Sequence, residues 1–221
     1  MAIDLPPAVV DDWRRLDRRT DERTLSLATV TAETTIFEHR PTAEALERLR
    51  ADGDIPARSL FTVALDISPS LSAIGLSPAD ALEMAAPKAR EGFVETVEDD
   101  GIAVGEKRAS EYIDRPDGSV GHLTVFEVAY PTDSGTATGA ASADGGDDVE
   151  DAAIDAEAHV AVWPAADAYV LAGGLLPLET PDSDLLAAAL DVDPARDREA
   201  IVDVFRGLEL ESGTDDEADS E

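Results

Sequence analysis

The 221-residue chain has no cysteine. That excludes a disulfide framework, a thiolate nucleophile and every Cys-ligated zinc, haem or iron–sulfur site. Lysine is nearly missing too: Lys88 and Lys107 stand against 15 arginines. Phe, Trp and Tyr together make up only 5% of the chain. No stripe of Lys and Arg is present to follow a phosphate backbone, so nucleic acid is not an expected partner. Long apolar runs are also missing. The longest, Ala168 to Leu178, is far short of a membrane span and is broken by Gly173 and Gly174. The start, Met1-Ala2-Ile3-Asp4-Leu5-Pro6-Pro7, has neither the basic nor the apolar region of a secretory signal. These absences lead to an expectation of a cytoplasmic protein without membrane association.

What the chain does have is acid. There are 49 Asp and Glu against 17 Lys and Arg, a formal net charge of −32. With arginine over lysine and small apolar residues over aromatics, this composition suits molar salt. Dense carboxylates hold water and ions, and salt screens their mutual repulsion. Acidity of this kind says little about a specific cationic partner. Two stretches concentrate it. Pro131 to Glu157 holds eight acids and no base, and Glu209 to Glu221 holds seven and no base. Both are expected to be disordered, because they offer too little apolar surface to offset ordering. The remainder still has 34 acids against 17 bases, so the surface of the fold is itself acidic.

Between these stretches the pattern is mixed. Pro7 to Arg19 places Val9, Val10, Trp13 and Leu16 at helical spacing. Leu25 to His39 and Arg58 to Ile67 read as strands, with a short helix from Thr42 to Ala51 between them. Ser77, Pro78 and Asp80 mark a helix start, running towards Glu98 through Pro87. Arg115-Pro116-Asp117-Gly118-Ser119 predicts a hairpin turn between Ile102–Asp114 and Val120–Tyr130. The second arm is apolar on both faces. Ala158–Trp163 and Tyr169–Gly173 form another strand pair, followed by helices over Ser183–Leu190 and Pro194–Leu208. This order predicts one α+β domain over residues 1–208, an antiparallel β-sheet with helices packed mainly on one face. The acidic stretch becomes an insert between two strands of that sheet.

From Arg58 to Leu208 the layout resembles the Mog1/PsbP-like α+β fold. The likeness rests on a long helix, a glycine-tipped hairpin, a strand pair bearing Trp163 and Tyr169, and the closing Ile201-Val202-Asp203-Val204-Phe205-Arg206 helix. With the composition, it suggests a protein of halophilic archaeal type. The resemblance implies a non-enzymatic accessory or binding protein, and it carries over no site residue.

Candidate chemistry is sparse. His122 and His159, with Glu127 or Glu157, could hold a divalent metal if they face one another, which would fit a metal-assisted hydrolase. Asp144, Asp147, Asp148, Glu150 and Asp151 lack the register of an EF-hand loop. A nucleophile elbow at Ser119 would need Gly at 117, where Asp117 stands. Gly173-Gly174 lacks the pattern of a phosphate loop and reads as a bulge or strand end. Asp66 is the carboxyl to check for burial in an apolar strand. Arg14, Arg15, Arg18, Arg19 and Arg23 are interleaved with five acids between positions 11 and 23, as on a salt-bridged helix. No catalytic residue and no cofactor is assigned. The leading expectation is a non-catalytic domain that binds a protein partner or small ligand through Trp163, Tyr169, Tyr130 and Phe126. A structural subunit of a larger complex, with a broad exposed apolar patch, is the third alternative. The sequence leaves the oligomeric state open.

Overall fold

Gly118 adopts φ +83°, a left-handed conformation that glycine takes at little cost. Asp117 Oδ1 accepts from the Ser119 backbone N–H at 2.9 Å and from its hydroxyl at 2.6 Å. The expected hairpin therefore forms, as β4 (Ala103–Asp114) and β5 (Val120–Pro131). The computed structural model describes residues 3–24, 28–49, 58–131, 153–180 and 184–209. The other elements are β1 (Trp13–Thr24), β2 (Thr29–His39), α1 (Arg40–Leu49), β3 (Ser59–Ser68) and α2 (Leu82–Asp99). They are followed by β6 (Ala153–Ala165), β7 (Ala168–Pro177), α3 (Asp184–Leu190) and α4 (Pro194–Gly207).

The seven strands form one antiparallel sheet in the order β1-β2-β3-β7-β6-β5-β4. Two meanders, β1–β2–β3 and β4–β5–β6–β7, meet where β3 pairs with β7. Ser77 and Asp80 make the reciprocal bonds of a helix start: Ser77 Oγ accepts from the Asp80 N–H and donates to its carboxylate. They fix a turn ahead of the regular helix, which begins at Leu82 and passes through Pro87. At α4 the Asp193 side chain caps the helix by accepting from the Arg196 N–H.

Three sequence expectations need correction. The first segment is not a helix: a 3-10 turn at Val10–Asp12 leads directly into β1. A bulge between Arg15 and Asp17 interrupts the two-residue alternation, which is why the spacing looks helical. Leu16, expected on a buried face, is exposed. Second, helices cover both faces of the sheet. On one, Phe61, Phe126, Val128 and Val160 pack with Leu82, Ala86 and Val97 of α2. On the other, Leu60, Ala161, Trp163 and Leu176 pack with Ile201, Val204 and Phe205 of α4 and with Leu5 and Val9. The cause is the apolar character of both faces of β5, β6 and β7, each of which needs cover. Third, the acidic insert is shorter than its composition suggests. Pro131 ends β5, and residues 153–157 belong to β6, with Ile154 opposite Tyr130 and Ala156 opposite Val128. Residues 132–152 and 210–221, the rest of the insert and almost all of the tail, lie outside the described residues.

Candidate functional site

The four aromatics proposed as a contact surface are core. Trp163, Tyr169, Tyr130 and Phe126 are all buried, Trp163 completely. Trp163 meets Phe205 edge-on at 5.2 Å, and the Arg115 guanidinium lies 5.5 Å above its ring. The Tyr169 hydroxyl donates to the Pro78 carbonyl at 3.1 Å. Helices cover both faces of the sheet where these rings lie, so the four aromatics pack inside the fold.

The histidine pair does not converge either. His122 sits opposite Val162, on the face that packs against α2. His159 sits opposite Val125, on the other face, with Nε2 3.2 Å from Glu157 Oε2. Arg198 of α4 donates to the same Glu157 oxygen at 2.9 Å. The sheet thus separates the two imidazoles, and they cannot share one ion. Among the described residues no group of three or more His, Asp or Glu is placed to hold a metal. Asp66 is exposed on β3, and Ser119 is a turn residue. Asp144 to Asp151 lie outside the described residues.

The arginine-rich segment is an edge strand rather than a helix. Arg14 pairs with Glu38 and Glu47, Arg15 with Asp4, Arg18 with Glu33, Arg19 with Asp100 and Arg23 with Glu95. Charge of this kind blunts a sheet edge against pairing with another chain.

A polar cluster that sequence reading missed lies where β2, β3, α1 and α4 meet. Arg58 is only 2% exposed and donates through Nε to Asp197 Oδ2 at 2.8 Å. Its Nη1 donates to Thr42 Oγ1 at 2.9 Å and lies 3.2 Å from His39 Nδ1. Its Nη2 reaches the Asp191 carbonyl at 3.2 Å. Arg196 also contacts Asp197, at 3.3 Å, and Asp191, at 2.8 Å. Guanidinium groups only donate, so His39 Nδ1 is an acceptor here and its ring proton lies on Nε2. Protonation would place an Nδ1–H against the Arg58 donors. Burial, reinforced by Arg58 and Arg196, accordingly lowers the His39 pKa from 6.5 to about 4.

That shift has a stability consequence. The unfolded chain takes up the His39 proton near pH 6.5, whereas the fold resists it to about pH 4. Stability is therefore lost as pH falls through this window, by up to ~3 kcal/mol for this group. His39→Asn keeps an acceptor near the Nδ1 position and removes the titration. In urea unfolding at fixed KCl, the variant is expected to lose distinctly less stability than the wild type between those two pH values. Parallel curves would show that His39 is not the titrating group.

The second assembly is open to solvent. It brings together Ser110 and Tyr112 of the edge strand β4, His122 of β5 and Glu83 of α2. His122 Nε2 lies 3.3 Å from Ser110 Oγ, and Tyr112 stands edge-on to the imidazole at 5.3 Å and 90°. The Tyr112 ring is 55% exposed, and its hydroxyl points to Glu83 of α2. Beside His122 a small cavity has Arg90 and Thr124 as its other polar walls and Ala86, Ala89, Val160 and Val162 as its apolar ones. Burial, with Arg90 and Lys107 nearby, holds His122 below its usual pKa, and the imidazole is neutral at pH 7. Cationic neighbours oppose proton uptake by a general base, and they oppose a divalent metal at the same nitrogen. What the arrangement offers is a set of neutral and positive hydrogen-bonding groups beside an apolar pocket.

A seven-stranded antiparallel sheet with helices on both faces makes this an α+β protein. The chain belongs to the family described as a domain of unknown function (DUF6517), whose family model matches residues 3–209. Comparison with curated proteins gives no significant match, and neither does comparison with solved structures. Among the described residues, no helix is long and apolar enough to cross a membrane.

Proposed function

We propose that this chain is a salt-adapted, non-catalytic accessory or binding domain of the cytoplasm, with its contact at the cluster of Tyr112, His122 and Arg90. The observation that carries the reading is this cluster itself, in which the exposed Tyr112 ring stands against His122 and a small cavity beside His122 is walled by Arg90. The other strongly polar cluster supports it by contrast, since Arg58, Asp197, Thr42 and His39 bond to one another inside the fold. A Mog1/PsbP-like relationship belongs to the same proposal, supported by the long helix α2, the β4–β5 hairpin and the closing helix α4.

Salt adaptation rests on a comparison of magnitudes. A net charge of −32 repels itself across the whole surface. Exposed ion pairs such as those of β1 contribute only ~0–1 kcal/mol each. Added salt weakens both, and relief of the repulsion should dominate. Raising KCl from ~0.1 M to ~1 M shortens the screening length from about 10 Å to about 3 Å. The melting temperature is expected to rise over that range, and a flat or falling curve in calorimetry would remove this part of the proposal.

Contact at this cluster is tested by affinity purification in molar KCl with wild type and Tyr112→Ala side by side. A stoichiometric partner retained by the wild type and lost by the variant is the expected result. Equal retention by both would move the contact elsewhere.

A further inference from the structure

The sheet ends in two edge strands, and they are guarded differently. On β1, arginines and their carboxylate partners line most of the strand. On β4, the first half carries Glu106, Lys107 and Arg108 and two shifts of register, at Val104/Lys107 and Lys107/Ala109. Both devices hinder pairing with another strand. From Ala109 to Asp114 the guard relaxes: the register with β5 is unbroken, and only Glu111 and Asp114 are charged. Ser110, Glu111, Tyr112 and Asp114 are exposed along this stretch.

The hairpin turn fixes which backbone groups of this stretch face outwards. The Arg115 N–H donates to the Ser119 carbonyl at 3.0 Å, which makes Arg115 and Ser119 a hydrogen-bonded pair. Such pairs alternate with non-bonded ones along an antiparallel ladder. Ile113, Glu111 and Ala109 therefore bond to β5 through their backbone groups, and those of Ser110, Tyr112 and Asp114 point outwards. β4 is the last strand of the sheet, and among the described residues no strand takes those outward groups. The side chains of the same three residues lie on the α2 face, where Tyr112 meets His122. A row of outward donors and acceptors beside an exposed aromatic is a template for one more strand.

We propose that the strand which adds here is Ala109–Asp114 of a second copy of this chain, the two joining antiparallel about a two-fold axis at Tyr112. Tyr112 then pairs with the partner's Tyr112, Ser110 with the partner's Asp114, and Glu111 with the partner's Ile113. No like charges stand directly opposite, and the Ser110 hydroxyl meets a carboxylate on the shared face. Other centres fail. Centring on Glu111 or Asp114 sets identical carboxylates face to face. Centring on Ala109 or Ser110 runs into the bulges. Centring on Ile113 places Pro116, which has no N–H, opposite Ser110. The two Glu111 carboxylates come diagonally across from one another, and each chain carries −32, so the pairing depends on molar salt to screen them. The inference deepens the proposed binding role, since it puts a second copy at the Tyr112 contact and rests on that corner being a contact surface.

The absence of cysteine makes this register directly readable. Across the axis the two Tyr112 Cα atoms stand ~5.5 Å apart, within the span of a disulfide. The two Ser110 residues are four positions out of step and their Cα atoms stand ~14 Å apart, beyond it. Under mild oxidation of the full chain in molar KCl, Tyr112→Cys should cross-link to a dimer with at least tenfold the yield of Ser110→Cys. In sedimentation equilibrium the wild type should dimerise with a dissociation constant on the order of 0.1 mM, as suits a small contact. Ser110→Pro removes an outward N–H and no backbone bond to β5, and should weaken dimerisation tenfold or more. A circular dichroism melt establishes that it folds; if it does not, the two cysteine variants decide. The inference is overturned by a wild type that stays monomeric up to ~1 mM in molar KCl. It is equally overturned by equal cross-linking of Tyr112→Cys and Ser110→Cys, or by a folded Ser110→Pro that dimerises unchanged. In any of those cases a different protein lost by Tyr112→Ala would still support the binding role. A register-specific dimer with no other partner would leave this pairing standing and remove only the heterologous contact.

Discussion

Asp197→Ala is expected to destabilise the protein by about 3–5 kcal/mol, more than any exposed substitution on its surface. The carboxylate is 6% exposed, and the guanidinium it holds is 2% exposed. Burial pushes the Asp197 carboxyl up and the Arg58 guanidinium down, so each charge persists against its own desolvation through the other. Removal of one partner leaves the second buried and unpaired, and water has little access to compensate. The surface pairs behave differently. Asp191→Ala removes the exposed one of the two carboxylates that Arg196 meets, and is expected to change stability by less than ~1 kcal/mol. The double replacement Arg58→Met with Asp197→Leu removes both buried charges together and should recover much of the single-variant loss. Urea unfolding of wild type, Arg58→Met, Asp197→Leu and the double variant at one KCl concentration gives the coupling directly. An Asp197→Ala variant within ~1 kcal/mol of wild type would show that the pair does not organise this corner of the fold.

Gly173→Ala is the second large effect, and its cause is steric rather than electrostatic. A Cβ at that position would stand 1.9 Å from the His159 carbonyl oxygen and 2.6 Å from the Phe61 ring. Gly173 lies on β7 between β3 and β6, paired with Phe61 on one side and Val160 on the other. The obstructing atom is backbone within the sheet, so no side-chain rotation relieves the contact. A loss of ~3 kcal/mol or more is expected, at the upper end for overpacking. Gly92 on α2 is the internal control: its Cβ would meet nothing within 4 Å, and Gly92→Ala should stabilise by ~0.5–1 kcal/mol. Similar melting temperatures for the two variants would sink the steric account.

The strands and helices with local signals were readable from the chain. Gly118 and Asp117 announced the β4–β5 turn, and Ser77 with Asp80 announced the approach to α2. The failures share a cause: each feature depends on contacts distant in sequence. Trp13 and Leu16 fit a helical stripe until β1 pairs with β2 and a bulge resets the spacing. Trp163 and Tyr169 attract attention as aromatics, yet their exposure depends on whether α2 and α4 cover both faces. Arg58 and Asp197 are 139 positions apart, and neither stands out among so many charged residues. Their one local hint was an arginine immediately before an apolar strand. His122 is legible as a candidate in the sequence, but its neighbours Ser110 and Tyr112 come from the adjacent strand, and Arg90 comes from a helix. The register that unites them follows from the hairpin, so the strand part of the cluster was within reach of the sequence and the helix part was not.

The sheet order also bears on how the chain reaches this state. Every strand pairing except one joins consecutive strands, and the exception is β3 with β7. Each meander can assemble from hairpin-like steps, whereas the joint between them must close a loop containing α2 and three strands. Closing a long loop comes at an entropic disadvantage until many contacts form together. Until then β3 and β7 each expose an unpaired backbone edge, one rich in aliphatic side chains and the other carrying the two glycines. The last-formed joint is therefore where an incompletely folded chain would most readily pair with a second one. The charged edge β1 gives no protection there.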